Sequence, residues 1–146
     1  MSSPPAGWLW QDVFAARRSS AGGGGSKGVF PDECLIVLNY NLPHTLLTHW
    51  SNATIRVCAD GGVNRLWDAT PVFHPKEDPG TARARYIPDA VVGDLDSVRR
   101  EVIDFYESKG TAVVDLSHDQ DSHDLDKCLR YGEERLRSRE GTGAAE

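Results

Sequence analysis

A chain of 146 residues, 39% of them hydrophobic, is long enough to bury one core and too short to suggest two domains. Its formal charge of −6, with no basic stripe, speaks against a binder of the nucleic-acid backbone, and no run of about 18 apolar residues is available for a transmembrane helix. Cys34, Cys58 and Cys128 are odd in number and lack CxxC spacing, which fits buried thiols in a reducing compartment better than a disulfide scaffold or a zinc site.

Residues 1–31 hold Arg17, Arg18, many small and hydroxyl residues and a single acid, Asp12. This composition faintly resembles an organelle transit peptide, but we read it as a disordered leader and expect a cytoplasmic protein. Within it "GGGGSKG" has neither the preceding strand nor the Lys-Ser or Lys-Thr pair of a phosphate loop, so it reads as a Gly/Ser linker.

From residue 35 the pattern becomes regular. "LIVLNY" (35–40) is an apolar run suited to a strand buried on both faces, and after Pro43 a helix is predicted with Leu46, Leu47 and Trp50 on one face. "IRVCA" (55–59) predicts the second strand, "DGG" stops it, and "VNRLWD" reads as a short helix. Residues 70–88, rich in proline and without a period, read as a surface loop. "DAVVG" predicts the third strand. "DLDS" follows it, then a helix through "VRREVIDFYESKG" with Val98, Val102, Phe105 and Tyr106 facing inward and Gly110 as its stop. "TAVVDL" (111–116) is the fourth strand. The last helix is predicted to start near Ser122, with Leu125, Cys128, Leu129 and Leu136 inward and Gly132 permitting close approach. Alternating strands and helices imply an α/β fold: a Rossmann-like, three-layer parallel sheet with helices on both faces, spanning residues 32–138, with 139–146 as a disordered tail.

In such sheets ligands bind beyond the carboxyl ends of the strands. The acids stand at those positions: Asp60 after the second strand, Asp94 and Asp96 after the third, and Asp119, Asp121 and Asp124 after the fourth. Two carboxylates about 4 Å apart repel by roughly 4 kcal/mol at an effective dielectric of 20, so a cluster of them calls for protons or a cation. Hard oxygen ligands favour magnesium, which keeps several waters and bridges carboxylates to phosphates. Gly61 and Gly62 would leave backbone N–H groups accessible at a helix start. Blander roles exist for each motif: "ADGG" as a tight turn, Asp96 or Ser97 as a helix N-cap, Asp121 as a cap with Asp124 in the first helical turn. Arg65 lies one turn beyond Gly62, and Lys127 lies at i+3 from Asp124. Either can be a surface ion pair or a phosphate contact.

"LNYNLP", "RVCADGGVNRLWD", "PDAVVGDLDSVR" and "DQDSHDLDKCL" stand in an order and at a spacing that resemble the eukaryotic thiamine pyrophosphokinases, over about residues 34–131. The resemblance implies transfer of diphosphate from ATP, the co-substrate, to thiamine, giving thiamine diphosphate and AMP, with magnesium required. It implies that Asp60, Asp94, Asp96 and Asp124 bind the metal or its waters, and that Gly61, Gly62, Asn64 and Arg65 line the nucleotide phosphates. Ser97, Gln120, Asp121 and Lys127 would complete the phosphate side, with Asp94, Asp96, Asp124 and Lys127 as the catalytic set. His123 stands where the family usually has Thr, and Asp126 adds an acid. The family's catalytic domain continues into further strands and a β-sandwich, and its sites form across a homodimer. We therefore expect an incomplete domain, truncated before its last strands, with weak turnover alone. Two other readings are a metal-dependent phosphohydrolase, in which His118 and His123 join Asp119, Asp121 and Asp124 around manganese or zinc, and a non-catalytic chain that modulates a full-length partner.

Overall fold

The structure, a computed structural model, describes residues 8–12, 15–18, 33–118 and 123–143. Six strands form one sheet in sequence order: β1 (Trp8–Asp12), β2 (Ala15–Arg18), β3 (Glu33–Val37), β4 (Ile55–Ala59), β5 (Ala90–Gly93) and β6 (Ala112–Asp115). The last four run parallel, each beside the next, with Val37 opposite Cys58, Ala59 opposite Val92 and Gly93 opposite Asp115. Parallel neighbours need crossovers, and helices supply them. They are α1 (Leu46–Asn52), α2 (Gly62–Phe73), α3 (Pro79–Ala84) and α4 (Arg100–Ser108), with α5 (Asp124–Gly143) following β6.

Strand side chains alternate between two apolar clusters, as the period of two requires. Leu35, Val37, Cys58 and Val91 meet Leu46 and Trp50 of α1, Val63 and Leu66 of α2, and Val102 and Tyr106 of α4. Cys34, Ile36, Val57, Ala59, Ala90 and Val92 face Cys128, Leu129 and Leu136 of α5. Strands β3, β4 and β5 are buried on both faces, which is why they read as continuous apolar runs. All three thiols are free and buried.

Several sequence expectations change. Residues 70–88 are not simply a loop: α2 continues through Pro71 to Phe73, and Pro79–Ala84 form α3, whose N-cap Asp78 accepts N–H bonds from Gly80 and Thr81. A proline at the first helical position suits α3 because that N–H has no intrahelical partner anyway. The first parallel strand ends at Val37 rather than Tyr40, because Asn39 and Asn41 leave the sheet to bond Arg65. Helix α4 is capped by Arg99 without a side-chain bond, so neither Asp96 nor Ser97 is its N-cap. Within the stretch read as a leader, β1 and β2 pair antiparallel, and Arg17 pairs with Glu33 to join them to β3.

Candidate functional site

Four loops leave the carboxyl ends of β3 to β6, and bonds between their residues draw them together. At the end of β4, Asp60 takes φ +44° and its N–H donates to Val92 O on β5 at 3.0 Å. At the end of β5, Leu95 takes φ +66° between Asp94 and Asp96. Among the described residues these are the non-glycine positions with positive φ, and both flank the carboxyl edge. For a leucine this conformation costs about 1–2 kcal/mol, and it is held because Leu95 packs against the first core cluster. The turn presents Asp94, partly buried, and Asp96, exposed, on either side of that anchor.

Helix α2 begins against the β3 backbone. A Cβ at Gly62 would lie 2.2 Å from Val37 O, and one at Gly61 would lie 2.7 Å from Asn39 Nδ2, so only glycine lets this turn approach so closely. One turn on, Asn64 knits two loops: Nδ2 donates to Ser97 O at 2.7 Å, and Oδ1 accepts from Arg99 N at 3.1 Å. Arg65 reaches the other way, Nε to Asn39 Oδ1 at 2.9 Å and Nη1 to Asn41 Oδ1 at 3.2 Å. The guanidinium remains exposed.

Lys127, on α5, is nearly fully buried, and Nζ donates to Asp94 Oδ1 at 2.7 Å and to Leu116 O at 3.2 Å. A buried ammonium is tolerated only with such acceptors. Leu116 N in turn donates to Gly93 O at 2.9 Å, so the ends of β5, β6 and the start of α5 are one connected unit. Beside them Asp115 Oδ1 accepts from Ser117 N at 2.9 Å. That backbone bond, with Ser117's side chain and the nearby His118 and Lys127, holds the Asp115 carboxyl below its usual range.

Of the residues singled out from sequence, Asp60, Gly61, Gly62, Asn64, Arg65, Asp94, Asp96, Ser97 and Lys127 stand on this edge. Ser97 Oγ lies 3.5 Å from Asp96 Oδ1. Asp124 opens α5. Asp119, Gln120, Asp121 and Ser122 lie outside the described residues. Two features change the sequence picture. Lys127 meets Asp94, remote in sequence, a contact that spacing along the chain did not suggest. Among the described residues, no three His, Cys, Asp or Glu side chains come close enough to cage a metal ion. Magnesium does not demand such a cage, since it binds through one or two carboxylates plus waters and phosphates. The hard oxygens of Asp94 and Asp96, two positions apart on one strained turn, fit that mode. Asn39, Asn41 and the Leu116 carbonyl were not anticipated. Asn39 and Asn41 fall within "LNYNLP", but no role was read for them.

The family described as "Thiamin pyrophosphokinase, catalytic domain" matches residues 46–140. Thiamine pyrophosphokinase 2 of Arabidopsis thaliana is 56% identical over 97 residues, covering 66% of this chain and 36% of that protein. Thiamine pyrophosphokinase of Saccharomyces cerevisiae is 33% identical over 101 residues, 67% of this chain and 30% of that one. Among solved structures, thiamin pyrophosphokinase from Candida albicans superposes with a TM-score of 0.56 at 34% identity, covering 66% of this chain and 29% of that chain. The chain thus spans about a third of the length of the curated relatives it matches.

Proposed function

The chain belongs to the thiamin pyrophosphokinase catalytic-domain family, and from that premise we propose that it works in transfer of diphosphate from ATP to the hydroxyethyl oxygen of thiamine, giving thiamine diphosphate and AMP. The observation that carries the reading is the joined edge: Asp60, Asp94 and Lys127, from three separate elements, are drawn together by Asp60 N to Val92 O and Lys127 Nζ to Asp94. A triphosphate needs anchored cation ligands and close backbone approach, and this edge supplies both.

In such transfers the protein mainly aligns groups and neutralises charge. Asp94 and Asp96, with Asp60 and Asp124, are the residues that would hold magnesium, which when bound offsets phosphate charge and orients oxygens. Gly61 and Gly62 bring the first turn of α2 close to the phosphates. Arg65, Asn64 and Ser97 line that side, with Gln120 and Asp121 completing it. Lys127 fixes the Asp94 carboxylate rather than ranging free as a point charge. The assembly we expect is a homodimer, and the buried free thiols suit a reducing, cytoplasmic setting. The hydrolase reading is not favoured, because the family match and the similar proteins are thiamine pyrophosphokinases; Asp119 and Asp121 of its metal cluster lie outside the described residues. No helix among them is long and apolar enough to cross a membrane.

The test is calorimetry of ATP binding with and without magnesium, on this chain and on an Asp94→Asn, Asp96→Asn double variant, alongside thiamine-dependent release of AMP. Magnesium-coupled binding that the double variant loses is the expected result. Equal binding by both proteins would refute the metal assignment.

A further inference from the structure

Tyr40 is 61% exposed, one of two large hydrophobic side chains so exposed among the described residues. It does not sit on a loose segment. Its own N–H donates to Leu38 O at 2.8 Å, closing a three-residue turn, and its neighbours Asn39 and Asn41 both accept bonds from Arg65. Asn39 also abuts Gly61, the residue after Asp60. The loop is therefore fastened on each side of Tyr40 to the first turns of α2, beside the proposed phosphate ground. The other exposed side chain, Val72 at 69%, lies near the far end of α2, away from these bonds.

An aromatic ring held in water gains nothing for folding, whereas a ring on a fastened loop offers a preordered face for stacking. A nucleotide bound by its phosphates at Gly61 and Asp94 still has a base to place, and the β3 loop is next to β4 at the same edge. We propose that Tyr40 stacks against the base of the bound nucleoside triphosphate, with Arg65 acting as the clamp that holds the loop in register. This assignment rests on the nucleotide reading above. It assigns recognition of the base to a residue distinct from those that take the phosphates.

The experiment compares magnesium-dependent binding of ATP and of inorganic triphosphate by the full chain, Tyr40→Ala and Tyr40→Phe. Stacking of one base on an aromatic side chain predicts that Tyr40→Ala weakens ATP about fivefold or more, that Tyr40→Phe retains it, and that triphosphate binding is unchanged in both. Unchanged ATP binding by Tyr40→Ala, or an equal loss for ATP and triphosphate, would overturn the assignment while leaving the phosphate site standing. A starting chain that binds neither ligand would remove the nucleotide reading and the assignment together.

Discussion

Lys127 Nζ lies 2.7 Å from Asp94 Oδ1, with 1% of the lysine side chain exposed and 29% of the aspartate side chain. The lysine is on α5, beneath one face of the sheet, and the aspartate follows β5. The pair therefore couples the helix's packing to the position of a candidate metal ligand. Removing one member of a buried pair leaves the other charge poorly solvated, at a cost of several kcal/mol, reduced here by the partial exposure of Asp94. We expect Lys127→Met to lower stability by about 1–3 kcal/mol in urea unfolding. Asp94→Asn should cost a similar amount. The double variant should fall clearly short of the sum, because the two share one interaction. Strictly additive losses would mean that the pair does not form in solution.

Gly62 sets a second expectation. A methyl group there would sit 2.2 Å from Val37 O, a backbone atom that cannot rotate away. Gly62→Ala should therefore push α2 off β3, destabilise by about 1–3 kcal/mol or more, and weaken ATP binding by displacing the turn that follows Asp60. Gly110→Ala is the comparison. It has φ +102° with nothing within 4 Å of a Cβ, so its cost comes from the backbone alone and ATP binding should be untouched. Equal effects on ligand binding from the two variants would contradict the close-approach argument.

These two relationships also mark how far the sequence could be read. The four parallel strands and the inward face of α5 were legible because β3 to β5 are buried on both sides and Cys128, Leu129 and Leu136 recur at helical spacing. The edge bearing Asp60 and Asp94 followed from the rule that parallel sheets bind at their carboxyl ends. The contact of Lys127 with Asp94 was not legible, since it depends on how α5 lies across the sheet and not on spacing along one helix. Nor could periodicity show that α2 runs past Pro71. Proline normally ends such a pattern, and the compensation comes from a residue on another helix.

The thiols give a chemical expectation. Burial pushes the Cys34 thiol up to about 12, with Asp89 and Glu33 adding to the effect, and burial alone raises Cys58 further. The thiolate is the reactive form, so both should stay inert at pH 8. A disulfide reagent should label neither in the native chain and should modify Cys34, Cys58 and Cys128 together once urea unfolds it. Rapid native labelling of Cys34 would show that β3 is open to solvent.

Asp115 supplies a pH dependence with a definite sign. Its folded pKa lies below the ordinary aspartate value because Ser117 N–H favours the carboxylate. The contribution to stability is thus fully present above that ordinary value, near 3.8, and is lost as pH falls through the depressed one. Asp115→Asn should leave stability at pH 7 little changed relative to pH 3, flattening this part of the acid limb. A carbon-detected titration of Asp115 reporting a value at or above 3.8 would count against the bond.

Arg83 closes the gap that Pro71 opens in α2. A proline has no N–H for the carbonyl four residues earlier, here Trp67. Arg83 Nε donates to Trp67 O at 3.1 Å, and its guanidinium stands 3.6 Å from the centroid of the Trp67 ring. One side chain therefore satisfies the orphaned acceptor and covers the indole that packs edge-on to Phe105 and Tyr106. Arg83→Met should cost about 1–2 kcal/mol, the sum expected of a partly buried hydrogen bond and a cation–π contact. In a Pro71→Ala background the restored N–H can take the Trp67 carbonyl, so the same arginine change should cost less there. Thermal unfolding of the four proteins measures the difference. An Arg83→Met penalty that is identical in both backgrounds would show that Arg83 acts through the indole face alone and that the Trp67 carbonyl is satisfied some other way.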